Sequence, residues 1–477
     1  MKPVLYSLLF ATALLSACAV GPDYERPEVI EPAAFKYQDG WLPLPEQSWA
    51  ASGSWWQAFG DDTLTALVEQ ALGANQTLAQ AEARYRAAEG QWRLARGGYS
   101  PELSASVRAT RSGGSAQGVA ARAIRENYSA RLDIGWTPDL WGRVRREVEA
   151  ERAGLQASVA DLAGARLAIQ VAVAESYINL RALDRQKVIV TETMEAYDRS
   201  ADLTRNQYEA GIVSRADVIQ AETQRQSLRT ELYDLQARRA VEENALAALL
   251  GTVPVQLTLA EESGLPAVPA LPATLPSVLL ARRPDVVAAE RQVAAANARI
   301  GVAEAAWLPD LTLSVWGGFE SDSFSGLLDS PPRVWSVGPA LAQTLFDGGR
   351  RRASRDIAIA SYDEQAALYR QTVLDSLREV EDALATLRIL AEKASQQDAL
   401  IALAEENERV VTNRYRAGLV TFLEVASAQN LTLGARRVGV DILADRLRAT
   451  VQLAATIGGG WDPDDPVIQS VTDLSAR

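Results

Sequence analysis

The sequence predicts a mainly α-helical chain that also carries four transmembrane-type β-strands and is internally duplicated. Three observations predict this. Proline is absent from Asp139 to Val253 and again from Ala340 to Asp462, leaving room for very long helices. Landmark strings recur in the same order at a nearly constant offset. Between helical stretches the hydrophobic period switches to two.

The repeat is read from three pairs of strings. Gly97-Gly98-Tyr99-Ser100-Pro101-Glu102-Leu103 returns as Ala305-Ala306-Trp307-Leu308-Pro309-Asp310-Leu311. Tyr208-Glu209-Ala210-Gly211-Ile212-Val213 returns as Tyr415-Arg416-Ala417-Gly418-Leu419-Val420. Leu140-Trp141-Gly142-Arg143 has a looser partner in Phe346-Asp347-Gly348-Gly349-Arg350.

Each repeat opens with shorter helix: about Leu64 to Arg96, broken near Asn75, in the first, and Pro284 to Ala306 in the second. Long helices follow. In the first repeat they span about 141–209 and 215–250, and in the second about 349–415 and 422–457, each pair broken at a glycine, Gly211 or Gly418. Val144, Val148, Leu155, Val159, Leu162, Ile169 and Val173 step by three, four or seven, the spacing of a coiled-coil seam. A helix from Asp139 to Tyr208 would be ~100 Å long at ~1.5 Å per residue. Helices of that length belong to a coiled coil or a tube wall.

The strands are expected at about 102–111, 128–138, 310–319 and 333–345. Leu103, Ala105, Val107 and Ala109 alternate with Ser104, Ser106, Arg108 and Thr110. Tyr128, Ala130, Leu132, Ile134 and Trp136 alternate with Ser129, Arg131, Asp133, Gly135 and Thr137. Leu311, Leu313, Val315 and Phe319 oppose Thr312, Ser314 and Gly318; Trp335, Val337, Leu341 and Leu345 oppose Ser336, Gly338, Ala340 and Thr344. Loops from Arg111 to Asn127 and Glu320 to Pro332 join the pairs, and Pro339 calls for a bulge or a missing ladder bond. Such dyad alternation matches a membrane barrel wall, with Tyr128, Trp136, Phe319 and Trp335 near strand ends. A soluble sandwich with one wet face alternates in the same way. Four strands in lipid leave open edges, and the smallest barrels have about eight strands, so at least two copies are required.

The chain has 477 residues, 48% of them hydrophobic, no histidine and one cysteine. A histidine relay and a usual transition-metal site therefore lack their parts, and no internal disulfide is available. Asp and Glu fit solvated helix faces; no nucleophile–base set stands out, and no enzyme is read. The net charge of −13 argues against a nucleic-acid partner. The cysteine follows a short basic start, an apolar run from Val4 to Leu15, and Leu15-Ser16-Ala17. This is a signal peptide over 1–17. Leu-Ser-Ala-Cys resembles a bacterial lipobox, which implies a diacylglycerol and an acyl chain on Cys18, the only bound groups expected. Several chains anchor stably where one is marginal. Ala19 in place of an aspartate favours the outer membrane. A plain secretory signal with a spare cysteine is the blander alternative.

The ordered set Val20-Gly21-Pro22-Asp23-Tyr24-Glu25-Arg26-Pro27, Trp55-Trp56, Phe59-Gly60-Asp61, Arg282-Arg283-Pro284-Asp285-Val286, Ala288-Ala289-Glu290, Leu345-Phe346-Asp347-Gly348-Gly349-Arg350 and Gly458-Gly459-Gly460-Trp461 resembles the TolC-like outer-membrane efflux proteins. The likeness is to their lipoprotein branch, that of OprM and NodT, and runs along nearly the whole mature chain. It implies a homotrimer with a twelve-stranded barrel continued by an α-helical coiled-coil tunnel. It also implies a passive channel for small molecules that works with a periplasmic adaptor and an inner-membrane pump of RND type. The organisation is then a lipidated segment with an equatorial contribution (18–60), a first repeat (61–250), a Pro-rich equatorial linker (251–276), a second repeat (277–457) and a tail (458–477). Competing readings are a conduit of another export system and a periplasmic coiled-coil scaffold lipoprotein.

The resemblance also implies sites. Gly211 and Gly418 mark hairpin tips that meet the adaptor, though turn glycines alone would look the same. In the family, two acidic residues three apart follow the second-repeat turn and ring the periplasmic mouth. Glu424 matches one, and Ser427 stands at the other. Three copies of Glu424 around an axis would favour cations; the alternative is a first-turn acid placed by the helix dipole. Asp217 is the first-repeat counterpart, expected in an outer position, paired with Arg215 or a neighbouring helix. A tyrosine and an arginine tie the family's closed state. Tyr415 matches the tyrosine, Val420 occupies the arginine's place, and Arg416 or Arg215 are candidate substitutes.

Overall fold

Alanine-rich, proline-free sequence sustains long helices, and these end where a left-handed glycine follows the last turn. The computed structural model, which describes residues 20–29, 35–36, 42–43, 53–114, 123–269, 272–273, 283–329, 331–459 and 461, follows that rule. The signal segment, Cys18, the tip of the first loop, part of the Pro-rich linker and the tail beyond 461 lie outside the described residues.

In chain order the elements are α1 (Asp62–Ala74), α2 (Gln76–Gly97), β1 (Glu102–Gly114), β2 (Ala123–Trp136), α3 (Arg143–Glu209), α4 (Arg215–Leu249), α5 (Pro284–Ala305), β3 (Asp310–Ser321), α6 (Phe324–Asp329), β4 (Arg333–Ala342), α7 (Arg350–Arg416) and α8 (Phe422–Thr456). A two-residue parallel pairing joins Leu42–Pro43 to Pro272–Ala273. The halves mirror one another: α3 and α7 each have 67 residues, α4 and α8 each 35. Both long helices start on an aspartate. Asp139 accepts from the amides of Val144 and Arg145 at 2.9 and 2.8 Å, and Asp347 from those of Gly349 and Arg351 at 2.9 and 3.1 Å. A carboxylate here satisfies amide donors that have no partner within the helix.

The chain divides into two compact units. The first comprises Met1–Glu28, Arg84–Ser158 and Ala288–Arg370. Its sheet is antiparallel in the order β1-β2-β3-β4, so β1 and β4 are its edges. The register joins Leu103, Ile134, Val315 and Val337 in one row and Ala105, Leu132, Gly317 and Trp335 in the next. Over these rows one face is apolar yet open: Val107 is 84% exposed, Trp335 77% and Leu132 55%, and charged residues enter it only at the loop end, at Arg111, Glu126 and Arg333. Water would penalise such a face, whereas lipid would not. The other face carries Ser106, Arg131, Gly318 and Val334 in one row and Ser104, Asp133, Trp316 and Ser336 in another.

Elsewhere in this unit the segment from Val20 is strapped down by Arg146, which is buried. Arg146 donates to the carbonyls of Val20 and Gly21 at 3.2 and 3.1 Å and to Asp23 at 3.0 Å. Gly21 has φ +101°, and a Cβ there would lie 2.4 Å from Gly301 Cα, so glycine is needed for the close approach.

The second unit comprises Val29–Ala83, Val159–Val287 and Gln371–Arg477. Trp55, Trp56 and Phe59 pack with Leu64 and Val68 of α1 against Val173, Tyr177 and Ile178 of α3, Leu246 of α4, and Leu447 and Val451 of α8. Trp55 and Trp56 meet edge-on at 6.0 Å. Asp61 caps α1 through Leu64 N at 2.9 Å and also accepts the Tyr177 hydroxyl at 2.7 Å. Asn75 caps α2 through Leu78 N at 3.0 Å, the physical reason for the helix break there. Arg181 and Arg239 enclose the buried Asp184 at 3.3 and 2.7 Å and donate to the carbonyls of Ala260 and Leu259. That clip holds the start of the Pro-rich stretch on the helices.

Several expectations shift. β1 and β2 extend past Arg111 and before Tyr128, because Ser112–Arg125 and Gly113–Ile124 continue the ladder. Tyr128 therefore lies inside β2 and not near its end, while its ring meets Phe324 at 5.8 Å. The second loop holds the short helix α6, stabilised by Ser323 accepting Gly326 N at 3.2 Å. β4 stops at Ala342, so Thr344 and Leu345 belong to the approach to the Asp347 cap. Pro339 pairs with Leu313 without a bulge; its edge-strand place accommodates the missing N–H.

The register assigns Leu132 and Leu313 to the apolar face and Arg131 and Thr312 to the polar one. Leu132→Arg should cost ~2–4 kcal/mol if that face meets the lipid midplane, and Thr312→Arg should insert normally. Heat-modifiable gel migration of membrane fractions reads both. Equal tolerance of the two arginines would refute this facing.

Candidate functional site

The two helix–helix turns are near copies. At the first, Gly211 N donates to Tyr208 O at 2.9 Å and Ile212 N to Gln207 O at 2.8 Å; at the second, Gly418 N donates to Tyr415 O and Leu419 N to Arg414 O, both at 2.9 Å. These paired bonds form the Schellman ending, which requires a left-handed residue. Gly211 and Gly418 supply it with φ of +73° and +72°. A Cβ at either would meet nothing within 4 Å, so the need for glycine is conformational and the outer surface is open. The next residues present aliphatic side chains: Ile212 is 67% and Leu419 69% exposed.

Beyond the turns the copies diverge. Ser214 caps α4 in a full capping box, with Asp217 accepting Ser214 N at 3.0 Å and Ser214 Oγ at 2.7 Å. The Asp217 carboxylate is held in its own cap and forms no ion pair with Arg215 among the described residues. Thr421 caps α8 with no side-chain bond, and Glu424, three residues on, makes no side-chain hydrogen bond or ion pair among the described residues. Glu424 and Ser427 are both exposed and lie one turn apart on the same helix face.

Tyr415 faces inward. It is 3% exposed, meets Phe422 edge-on at 5.8 Å, and packs with Ala201, Ala221, Val425 and Ala426, with Val420 alongside. Its hydroxyl lies 2.9 Å from Thr204 Oγ1, and Thr204 already donates to Ser200 O at 2.8 Å. A hydroxyl has one proton, so Tyr415 is the donor. Burial pushes the Tyr415 pKa above the ordinary tyrosine value, so it stays protonated at physiological pH. Arg215 and Arg416 are exposed and form no ion pair within the chain among the described residues. Neither is brought to Tyr415; the partner is Thr204, which the sequence reading missed because an interior helical threonine carries no distinguishing pattern. Gln429–Ser200 at 3.2 Å and Tyr197–Asn430 at 2.8 Å extend the same seam between α3 and α8. Cys18 lies outside the described residues.

The duplicated pattern of a strand pair followed by a 67-residue and a 35-residue helix has known counterparts. A family model described as outer membrane efflux protein matches twice, over residues 67–252 and 275–459. The chain belongs to the outer membrane efflux protein family. A similar relative, the probable efflux pump outer membrane protein TtgC of Pseudomonas putida, is 31% identical over 473 residues, covering 97% of this chain and 96% of its own. The cation efflux system protein CusC of Escherichia coli is 30% identical over 458 residues, covering 95% and 98%. Among solved structures, the outer-membrane channel OprN superposes with a TM-score of 0.87 at 32% identity over 93% of this chain and all of that one. As a family member, the chain is an outer-membrane efflux channel component of a Gram-negative bacterium.

Tyr415→Phe removes the Thr204 bond, worth about 1 kcal/mol net. It should leave the fold intact, speed amide exchange around 411–426 and raise resting conductance. Unchanged exchange at the tip would show that the bond does not hold the hairpins together.

Proposed function

We propose that three copies of this chain form a passive conduit, a twelve-stranded barrel in the outer membrane continued by a helical tunnel, within a tripartite pump of RND type. The observation that carries this reading is the sheet: an open apolar face bounded by two edges, β1 and β4, unpaired among the described residues. An unpaired edge in lipid leaves backbone groups without partners, and edge-to-edge closure between copies supplies them. Lipid on Cys18, a diacylglycerol and an acyl chain, would add an anchor that the barrel alone does not need.

The partners are a periplasmic adaptor and an inner-membrane pump. The adaptor would seat on the hairpin tips, where Gly211 and Gly418 shape matching turns and Ile212 and Leu419 offer aliphatic contacts. The tunnel would be gated at this end. Glu424 is suited to the constriction because its carboxylate, unlike that of Asp217, is not used in a cap. Ser427 weakens the second ring of the family pattern, and Tyr415 with Thr204 replaces the tyrosine–arginine tie. The pump would choose the cargo, since relatives named for toluene efflux and for cation efflux share this architecture. No step of this transport calls for a cofactor or for catalysis by the chain.

Planar-bilayer recording tests the reading. The purified chain should form cation-preferring pores, and Glu424→Gln should reduce that preference and weaken block by multivalent cations. Absence of conductance in the unmodified protein contradicts the conduit. Conductance with selectivity indifferent to Glu424→Gln removes this residue from the gate.

A further inference from the structure

The polar face of the sheet holds a cluster that the gate and tips do not use. Trp316 is the only aromatic residue among the paired positions of that face. Its neighbours on the face are Ser314 and Gly318 along β3, with Asp133 and Ser336 across it. The large ring therefore stands among small groups. The Arg131 guanidinium lies over it at 4.4 Å from the ring centroid. The same guanidinium donates to Glu320 at 2.8 Å, and Asn127 also donates to Glu320. Arg131 Nε is buried with no oxygen or nitrogen acceptor among the described residues, and the indole π face lies within its reach.

The backbone makes room for this arrangement. Arg131 stands opposite Gly318, where a Cβ would fall 2.8 Å from Arg131 Cα and 2.2 Å from the carbonyl oxygen of Ala130. With glycine there, Arg131 bridges diagonally to Trp316 on one side and Glu320 on the other. The result is a flat tile with one cation and one carboxylate in balance. Asp133, in the row of Trp316, accepts the Ser106 hydroxyl at 3.2 Å and adds a nearby negative charge.

We propose that Arg131, Trp316 and Glu320 form a cargo-contact station in the barrel lumen that takes aromatic small molecules by ring stacking. This rests on the reading of the polar face as a pore wall. Guanidinium and indole are planar and weakly hydrated, and an aromatic solute gains by stacking on either. Because Glu320 offsets Arg131, the stacking surface recognises the ring of a solute with little demand on its charge. Three copies would repeat the station around the bore.

The probes are benzoate and benzylammonium, added during planar-bilayer recording and scored by current block. Trp316→Leu should weaken block by both, roughly two- to tenfold, and Trp316→Tyr should retain it. Arg131→Gln should shift block towards benzylammonium and Glu320→Gln towards benzoate, with the double variant returning near the starting preference. Heat-modifiable migration shows that each variant assembles. Block indifferent to Trp316→Leu, or the two charge variants shifting preference in the same direction, overturns the station. If the unmodified chain forms no pore, the conduit reading itself fails, a different result from a pore without the station.

Discussion

Backbone hydrogen bonding in an apolar solvent governs this molecule more than any side chain does. An N–H or C=O without a partner in hydrocarbon costs several kcal/mol, and a strand edge presents a row of them. Within one chain β2 and β3 are paired on both sides, while β1 and β4 are each paired on one. The open apolar face of the sheet cannot turn to water without a large hydrophobic penalty, so the edges must be satisfied where lipid is the solvent. In the proposed conduit, assembly of copies is what satisfies these edges.

Duplication gives each chain two versions of every helical element, and their differences are informative. The matched aspartate caps of α3 and α7 and the matched glycine turns conserve backbone geometry between the halves. The first turns of α4 and α8 do not match in use. Asp217 is consumed by its capping box, whereas Glu424 occupies the equivalent position with no cap to make. One copy of the motif thus serves stability, while the carboxylate of the other has no intrachain partner among the described residues. Tyr415 joins the halves: its ring fills a cluster drawn from α3, α4, α7 and α8, and its proton reaches Thr204.

The long helices and the duplication were legible because proline absence and repeated strings are one-dimensional signals. Strand facing was legible for the same reason, through its period of two. What was not legible depends on partners distant in sequence. Trp316 breaks the polar alternation of β3, and nothing local shows that Arg131, across the sheet, lies over it. Thr204 becomes the hydrogen-bond partner of Tyr415 only because α7 brings that tyrosine beside it, and Val420, in the family's arginine place, simply packs against that cluster. The helix α6 was hidden in a serine-, glycine- and aspartate-rich loop because its seat is the distant Tyr128 ring. Leu345 continued the apolar alternation past the strand, but the Asp347 cap ends the sheet before it.

The dependence of the whole arrangement on edge closure is tested most directly by the mass of the detergent-extracted protein. The chain is 51.5 kDa, and closure in the proposed form predicts a heat-sensitive, monodisperse particle of three chain masses, with its strand content lost as the particle dissociates. A particle of one chain mass that keeps all its strand content would contradict the account, because the edges of β1 and β4 would then be stable without partners.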